Sequence, residues 1–452
     1  MCLGLSKVKP PTGRIRHRLI PLVALGLMAG GLLPVAEVSA DSSSSTIVGT
    51  GCSKVGAQRT VRKVVHTCTL AGKRRIWARA RATATTTTTS LPPPTASPAT
   101  ADACKLSDPN GKVRGISLGF PRLAERLKST GTVRIGVVFV DFPDSVATRT
   151  TQSVFSLISP DAERRYSAMS YGKATFELVP LQRWLRMGRA STAYSMSRTN
   201  TTFNSHRDFI SEALNLSSGL LSVNDLDGFV VLANPDAASL DFGPAFTPND
   251  TFFAATAAGR QWMNGASSGT DLLSWGSGWF NHEFGHAMGL VDLYAFSGSG
   301  NRFVGQFSLM GQINGGAPEL FGWERWTLGW VADSQVSCLT TGSSTTDLTP
   351  IATAGGVKIA VAKLSSSRAV VVESRRRLGY DTGLSKEGVI VYVVDTSVRS
   401  GEGVLRILPI NDSDQTKMSV ALGAGESLTF ENVQVRVVSS GAGGDRVTIR
   451  IG

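Results

Sequence analysis

Apolar runs with strand and helix periodicity alternate through the centre of the chain. Residues 133–142, VRIGVVFVDF, are strongly apolar and β-branched, which predicts a buried strand. Residues 175–181 and 228–233 predict two further strands. Helices are predicted over 160–169, behind a Ser-Pro start signal, and over 204–216, where apolar residues recur on one side. Strands mixed with helices indicate an α/β or α+β unit.

The pattern changes after about residue 335. The helical signal fades, and short apolar runs alternate with glycine-rich turns, which predicts an all-β, sandwich-like C-terminal region. We therefore assign residues 104–335 to the mixed unit and residues 336–452 to the β-rich region. The predicted strands of that region cover residues 357–364, 369–373, 388–394, 427–430, 433–438 and 446–451.

The first forty residues have the pattern of a signal peptide. Five Lys or Arg residues precede an apolar run from Leu19 to Val35, and Val38-Ser39-Ala40 is a small-residue cleavage site. An uncleaved anchor is the alternative, although Gly30, Gly31 and Pro34 weaken the run as a membrane-spanning helix. This segment predicts a protein that is secreted, either extracellular or associated with the cell wall.

Two further segments precede the main body. Residues 41–81 predict a small basic module with two cysteines and strand-like alternation. Its stretch 51–80 is a candidate for association with anionic cell wall, and a merely solvated basic face is the alternative. Residues 82–103 are rich in Thr, Pro and Ala, a composition that builds no core and predicts an extended linker.

Composition and charge narrow the classes of function. The 452 residues are 42% hydrophobic and 18% charged, so the chain can bury a sizeable core. The formal charge is +12, but residues 1–103 carry 14 Lys and Arg against three Asp and Glu, which leaves only +1 for residues 104–452. The large unit therefore lacks a general phosphate-binding field, and we expect no nucleic-acid partner.

Four cysteines remain after signal cleavage, and an exported protein meets an oxidising compartment. Among the three pairings, we favour Cys52 with Cys68 as a local loop and Cys104 with Cys338 as a long clasp. Two alternatives stay open. The four cysteines could bind zinc, although their spacing lacks tight C-x₂-C pairs, and an unpaired Cys104 could cap a metal in a proenzyme.

The segment Asn281–Asp292, NHEFGHAMGLVD, carries the strongest chemical signal. On a helix, His282 and His286 lie on one face one turn apart, where two imidazoles can hold one Zn²⁺. Glu283 is placed to act as a general base on a water molecule. Gly289 can end the helix with positive φ and turn the chain, so that Asp292 becomes the third ligand.

Several rival interpretations of these residues remain. Glu319 and Glu324 lie in a predicted helix, and another class of zinc peptidase takes its third ligand from a glutamate on a second helix. The G-x-S-x-G matches at 115–119 and 265–269 suggest a serine hydrolase, but neither clearly follows a buried strand and opens a helix, and flexible loops explain both. A third possibility is a non-enzymatic wall-binding or adhesive protein.

The sequence resembles the immune-inhibitor-A-like zinc peptidases, the M6 family. The resemblance covers most of residues 130–395 and rests on these pieces: VRIGVVFVDFPD at 133–144, RYSAMSYGKATFEL at 165–178, HEFGHAMGLVDLY at 282–294, SLMG at 308–311, PELFGWERWTLGW at 318–330 and VVVESRRRLGYD at 370–381.

The resemblance implies a zincin-like α+β catalytic domain in a secreted zinc endopeptidase. His282, His286 and Asp292 would hold zinc, Glu283 would be the catalytic base, and Met310 would form an apolar floor under the ligands. The substrates of such an enzyme would be proteins or peptides, and we expect the protein to be a monomer. Calcium is a further candidate cofactor at acidic, glycine-rich loops such as Asp225–Gly228. Tyr294, Tyr380 and His206 are candidates for stabilising an oxyanion, and none is assigned.

Overall fold

The computed structural model describes residues 47–48, 50–61, 64–79, 99–109, 118–248 and 253–452. The signal-peptide prediction for 1–40 and most of the linker prediction for 82–103 lie outside these residues. The chain divides into two compact units, one within residues 9–93 and one that includes residues 94–452. In the described part of the chain, no helix has both the length and the apolar character needed to cross a membrane.

The smaller unit is a three-stranded antiparallel sheet with its strands in chain order. The predicted disulfide between Cys52 and Cys68 is present and joins the segment before the first strand to the middle strand. A sheet this small buries little apolar surface, so the disulfide contributes to its stability. The strands are β1 Gln58–Val61, β2 Val64–Ala71 and β3 Arg74–Arg79.

The larger unit is built around a five-stranded sheet. Its strands are β4 Gly131–Asp141, β5 Ala174–Arg186, β6 Gly228–Ala233, β7 Ala245–Phe246 and, after a hairpin of β8 Ala255–Ala257 and β9 Arg260–Trp262, β10 Gly265–Ser267. Across the sheet the order is β5-β4-β6-β10-β7. The first four strands are parallel, and β7 is an antiparallel strand at one edge.

Helices cover both faces of this sheet, which explains the continuous apolar run in the sequence of β4. Val133, Ile135 and Val137 point into a core shared with two helices, and Val138 and Val140 point into a core shared with a third helix. Both sets of alternating side chains of such a strand are buried, so its sequence is apolar throughout instead of alternating. The helices are α1 Ala101–Cys104, α2 Thr151–Phe155, α3 Asp161–Met169, α4 Phe203–Leu216, α5 Leu272–Ala287 and α6 Gly322–Thr327. Of these, α3 and α5 pack on one face, and α4 packs on the other.

The C-terminal part consists largely of strands, in two sheets. Their orders are β11-β13-β14-β15-β16 and β12-β19-β18-β17, and buried side chains from both sheets form one core. The strands are β11 Val336–Leu339, β12 Gly342–Leu348, β13 Ile359–Lys363, β14 Arg368–Arg375, β15 Gly388–Asp395, β16 Leu405–Ile407, β17 Ser427–Phe430, β18 Val433–Gly441 and β19 Gly444–Ile451.

The first of these two sheets is buried on both faces. Along β14, Val370 and Val372 face the second sheet, whereas Ala369 and Val371 join the core that contains α3 and α5. The predicted disulfide between Cys104 and Cys338 is present and joins α1 to β11. Burial of both faces and a covalent link therefore join the strand-rich part to the helical part within one packed body.

The mixture of helices and strands was predicted, but several strands were not. The strand β12 was missed because its sequence, GSSTTDL, is polar and only two of its seven residues are buried. Strands β7 and β10 were missed because two or three residues give no periodicity. Short strands of this kind form only because a longer neighbour supplies the hydrogen-bonding edge.

Candidate metal centre

Helix α5 carries the two histidines of the zinc motif. The helix is interrupted at Gly276, where the backbone is non-helical, and continues to Ala287. His282 and His286 lie one turn apart on this second part, and their Nε2 atoms are 3.2 Å apart. Helical spacing alone therefore brings two imidazole nitrogens to a separation at which they can share one ion.

Backbone carbonyls determine which nitrogen of each imidazole carries its hydrogen. The Nδ1 of His282 lies 2.9 Å from the Leu309 oxygen, and the Nδ1 of His286 lies 3.0 Å from the Leu290 oxygen. A carbonyl oxygen can only accept, so each Nδ1 is the donor. Each Nε2 is then an acceptor with a free lone pair, and the second hydrogen bond holds the ring in its orientation, as at metal sites.

The turn after α5 brings a carboxylate to the same point. Gly289 has φ 105°, a conformation that side-chain-bearing residues rarely adopt, and the chain reverses there. Asp292 Oδ1 then lies 3.3 Å from His282 Nε2 and 3.2 Å from His286 Nε2. Asp292 is buried, and its Oδ1 has no hydrogen-bond partner within the described residues. The three residues predicted as ligands are thus together.

The spacing of these three atoms fits a small tetrahedral ion. Donors at about 2.0–2.1 Å from a tetrahedral centre lie about 3.3–3.4 Å from one another. The observed separations are 3.2, 3.3 and 3.2 Å. His282, His286 and Asp292 form the metal-competent group of His, Cys, Asp and Glu side chains in the described chain. The arrangement can hold a metal ion, and it does not identify the metal.

The charges of the cluster also favour a cation. Burial opposes ionisation of Asp292, but the two neighbouring imidazoles outweigh it and hold the pKa of this carboxyl well below its usual range. Burial likewise opposes protonation of His286, yet Asp292 raises the pKa of that imidazole. Both shifts show that positive charge is stabilised where the three atoms converge.

Glu283 lies beside the cluster without joining it. Its Oε2 accepts a hydrogen bond of 2.7 Å from the Ala245 backbone nitrogen, on the edge strand β7. Burial raises the pKa of Glu283 to about 8 in the absence of a metal. A divalent ion at the neighbouring ligands would favour the carboxylate form. The predicted base is therefore buried, oriented and next to an edge strand.

A tight turn supports the helix from below. Met310 is fully buried and packs against Gly285, between the histidines. A Cβ at Gly285 would lie 2.6 Å from the Met310 sulfur, so only glycine allows this approach. The Ser308 hydroxyl accepts from the Met310 nitrogen and donates to Glu324, which anchors the turn whose Leu309 carbonyl orients His282. Met310 therefore lies under the two histidines, where the resemblance implies an apolar floor.

The rival third ligands lie elsewhere and have other partners. Glu319 forms a buried ion pair with Arg325 and accepts a hydrogen bond from the Tyr380 nitrogen. Glu324 accepts from Ser308 and from the Phe321 nitrogen. Neither belongs to the metal-competent group, so the structure gives the alternative of a downstream glutamate ligand no support. Cys104 is bonded to Cys338, as predicted, so the alternatives of a cysteine cap and of a four-cysteine zinc site are excluded.

The serine motif at 265–269 differs from the expected flexible loop. Gly265–Ser267 is the buried strand β10, α5 begins at Leu272, and Ser267 Oγ lies 2.9 Å from His206 Nε2. Ser267 is nevertheless completely buried, and burial lowers the pKa of His206 to about 3. A substrate carbonyl cannot reach this hydroxyl, so the pair is part of the core. The motif at 115–119 lies mostly outside the described residues.

The remaining candidates have different surroundings. The Tyr294 ring lies 6.3 Å from that of His282, centroid to centroid, so it borders the cluster. Tyr380 stacks with Arg165 instead. In the loop proposed for calcium, Asp225 pairs with Arg134, and Asp227 pairs with Lys128. These acidic side chains already have cationic partners, which gives calcium no support there.

Four hydrogen-bond partners of the motif residues were not predicted from the sequence. The carbonyls of Leu290 and Leu309, the Ala245 nitrogen and the Ser400 hydroxyl hold the side chains of the motif. Three of these are backbone groups, which carry no residue-type signal, and Ser400 is 108 residues from its partner Asp292. The chain matches no protein-family model and no curated protein.

Proposed function

We propose that this protein is a secreted zinc-dependent endopeptidase of the immune-inhibitor-A-like type, with a zincin-like catalytic domain in residues 104–335. The observation that carries the proposal is the convergence of three acceptor atoms, one of them the buried and unpartnered Asp292 Oδ1. When both imidazoles are neutral, these three lone pairs face one another and repel, and a metal ion between them removes the repulsion. The residues present therefore fit a bound metal.

The donor set favours zinc over harder cations. Two neutral imidazoles and one carboxylate match catalytic zinc sites, whereas magnesium and calcium select oxygen ligands. Three protein ligands leave a fourth tetrahedral position open to solvent or substrate. A bound zinc ion would polarise a substrate carbonyl and lower the pKa of water to about 7.

Glu283 is proposed as the general base. One of its oxygens is held by the Ala245 nitrogen, which leaves the other to accept a proton from water and to deliver it to the leaving amine. Because Glu283 and both histidines belong to α5, the helix sets the position of the acceptor relative to the two imidazoles. Tyr294 is the nearest candidate to stabilise negative charge on the substrate.

A peptide substrate is favoured by the position of β7. This strand forms the edge of the central sheet, and its Ala245 contacts Glu283. An edge strand presents backbone groups that an extended peptide can pair with, and such pairing would lay a peptide bond beside the base. The arrangement suits cleavage within a chain, that is, an endopeptidase.

The smaller unit supports a second proposal, attachment to anionic cell-wall polymer. Residues 42–101 contain nine Lys and Arg and no Asp or Glu, and Lys54, Arg59 and Lys73 are exposed. Uncompensated positive charge attracts polyanions, and salt weakens the attraction. Full-length protein should sediment with isolated walls at low salt and be released at high salt. Protein that stays bound to the walls at high salt would rule out this electrostatic attachment.

If the protein is catalytically inactive, which is the alternative to the enzymatic proposal, attachment to the cell wall would be its whole function.

Casein hydrolysis tests the enzymatic proposal. Activity should vanish with a chelator, return with Zn²⁺ and resist serine-directed reagents. Glu283→Gln should lower the rate by about 10²–10⁴-fold while the protein keeps its zinc, because only the proton transfer is lost. Glu177→Gln, a change at an exposed glutamate of β5, is the matched control and should leave activity unchanged. A Glu283→Gln variant with the activity of the parent protein would refute the assigned role.

A further inference from the structure

The loop that carries Asp292 is hydrogen-bonded to the strand-rich C-terminal part. The Asp292 nitrogen donates to the Ser400 hydroxyl at 3.0 Å, and the Gly401 nitrogen donates to the Asp292 carbonyl at 3.2 Å. The Phe296 nitrogen donates back to the Gly401 carbonyl at 3.1 Å. Three bonds therefore join this loop to the connection between β15 and β16, more than a hundred residues away in sequence.

The Ser400 hydroxyl forms a hydrogen bond with only one of the two carboxylate oxygens of Asp292. It accepts from the Asp292 nitrogen, so its single hydrogen is available for a second partner. That partner is Asp292 Oδ2, 3.4 Å from Ser400 Oγ. Asp292 Oδ1 receives no hydrogen bond and is the oxygen nearest to both imidazoles. The hydroxyl therefore turns the carboxylate so that Oδ1 faces the cluster.

We propose that Ser400 is a positioning residue of the metal centre, which orients Asp292 as the third ligand from within the strand-rich part of the chain. The inference rests on the proposed metal site. An aspartate on a turn has several rotamers, and a partner that selects one of them reduces the entropy lost when the ion binds. Hydrogen bonds of this kind to metal ligands affect metal affinity strongly.

Residues 336–452 would then contribute a side chain to the metal centre. Ser400 is largely buried and lies in the connection between β15 and β16. One face of the sheet that contains these strands shares a core with α3 and α5. A chain that ends at residue 335 would keep His282, His286 and Asp292 but lose the group that orients Asp292. The strand-rich part is then a component of the metal centre as well as a neighbour of it.

Zinc affinity of the full-length chain, measured by chelator competition, tests the inference. Ser400→Ala and Ser400→Val should raise the Kd for Zn²⁺ by about 10- to 100-fold. Ser400→Thr keeps the hydroxyl in nearly the shape of valine and should restore tight binding. Ser374→Ala is the matched control, because the Ser374 hydroxyl donates to Asp445, a buried carboxylate outside the metal centre. This control should bind zinc like the parent protein.

The outcomes separate the two proposals. If the parent protein binds zinc and Ser400→Ala and Ser400→Val bind it equally tightly, the positioning role is refuted and the zinc site stands. If the folded parent protein binds no zinc, the proposed function fails first. Circular dichroism of each metal-free variant identifies loss of fold. Because Thr and Val have nearly the same shape, weaker zinc binding in Ser400→Val than in Ser400→Thr reports the hydroxyl itself.

Discussion

Two of the groups of buried carboxylates in the larger unit differ in what neutralises their charge. In the metal centre, Asp292 Oδ1 faces two imidazole nitrogens and receives no hydrogen bond. In the second group, which we call the arginine network, each carboxylate meets a guanidinium. Its members are Glu319 with Arg325, and Glu373 and Asp381 with Arg375.

The difference shows that the partners of a buried carboxylate indicate whether it stabilises the fold or binds a metal. An ionised group in a core must be paired, protonated or bound to a metal. The arginine network meets this condition with its own side chains, so it needs no ion. The metal centre has no guanidinium, so either a bound metal ion or a proton on an imidazole must balance the charge of Asp292. By residue type alone, Glu319 and Asp292 are equally good candidates for a metal ligand. Their neighbours distinguish them, because Glu319 is paired with an arginine and Asp292 faces two imidazoles.

Replacing one carboxylate from each group should give the largest and most contrasting effects. Asp292→Ala should abolish zinc binding, since two imidazoles are a poor site. Glu319→Ala should keep zinc but lower the free energy of unfolding by about 3–5 kcal/mol, because Arg325 is left as an unpaired buried charge. Elemental analysis and denaturant unfolding measure the two quantities. Zinc loss in Glu319→Ala with the fold intact would reverse the assignment.

A buried carboxyl outside both groups, that of Glu324, should make the stability of the protein depend on pH. Burial raises the pKa of Glu324 from 4.5 to about 7. This carboxyl therefore binds its proton more tightly in the folded state, and its stabilising contribution is complete below pH 4.5. It is lost as the pH rises to 7, by up to about 1.4 kcal/mol per pH unit.

Glu324→Gln keeps the acceptor for Ser308 and removes the titration. In urea unfolding of the metal-free protein, the slope of stability against pH between 4.5 and 7 should be shallower in the variant. Equal slopes for the two proteins would show that Glu324 is not the titrating group.

A smaller effect is expected where the helix of the metal centre meets its floor. Gly285→Ala places a methyl group 2.6 Å from the Met310 sulfur and should lower the free energy of unfolding by about 1–3 kcal/mol. The strain falls between the two histidines, so zinc affinity should fall as well. Gly300→Ala, which meets open space, is the control and should change neither. Wild-type stability in Gly285→Ala would mean that the methionine moves aside freely.

The sequence predicted the local part of the centre well. The spacing of His282 and His286, the reversal at Gly289 and the arrival of Asp292 all follow from one helix and one turn, which are short-range features. The long apolar strands and both disulfides were also predicted.

What escaped prediction depends on contacts between distant segments. The polar strand β12 and the very short β7 and β10 form because neighbouring strands pair with them. Likewise, Ser400 reaches Asp292 only through the packing of the C-terminal sheet, and Glu319 finds Arg325 instead of a metal. Such choices are tertiary, and no pattern along the chain encodes them.

The metal content of the folded, full-length protein tests the central claim most directly. After incubation with Zn²⁺ and removal of free metal, elemental analysis should find one zinc per chain, and the same treatment of the doubly substituted His282→Ala, His286→Ala protein should find none. A folded parent protein that retains no zinc would contradict the claim that His282, His286 and Asp292 form a metal centre.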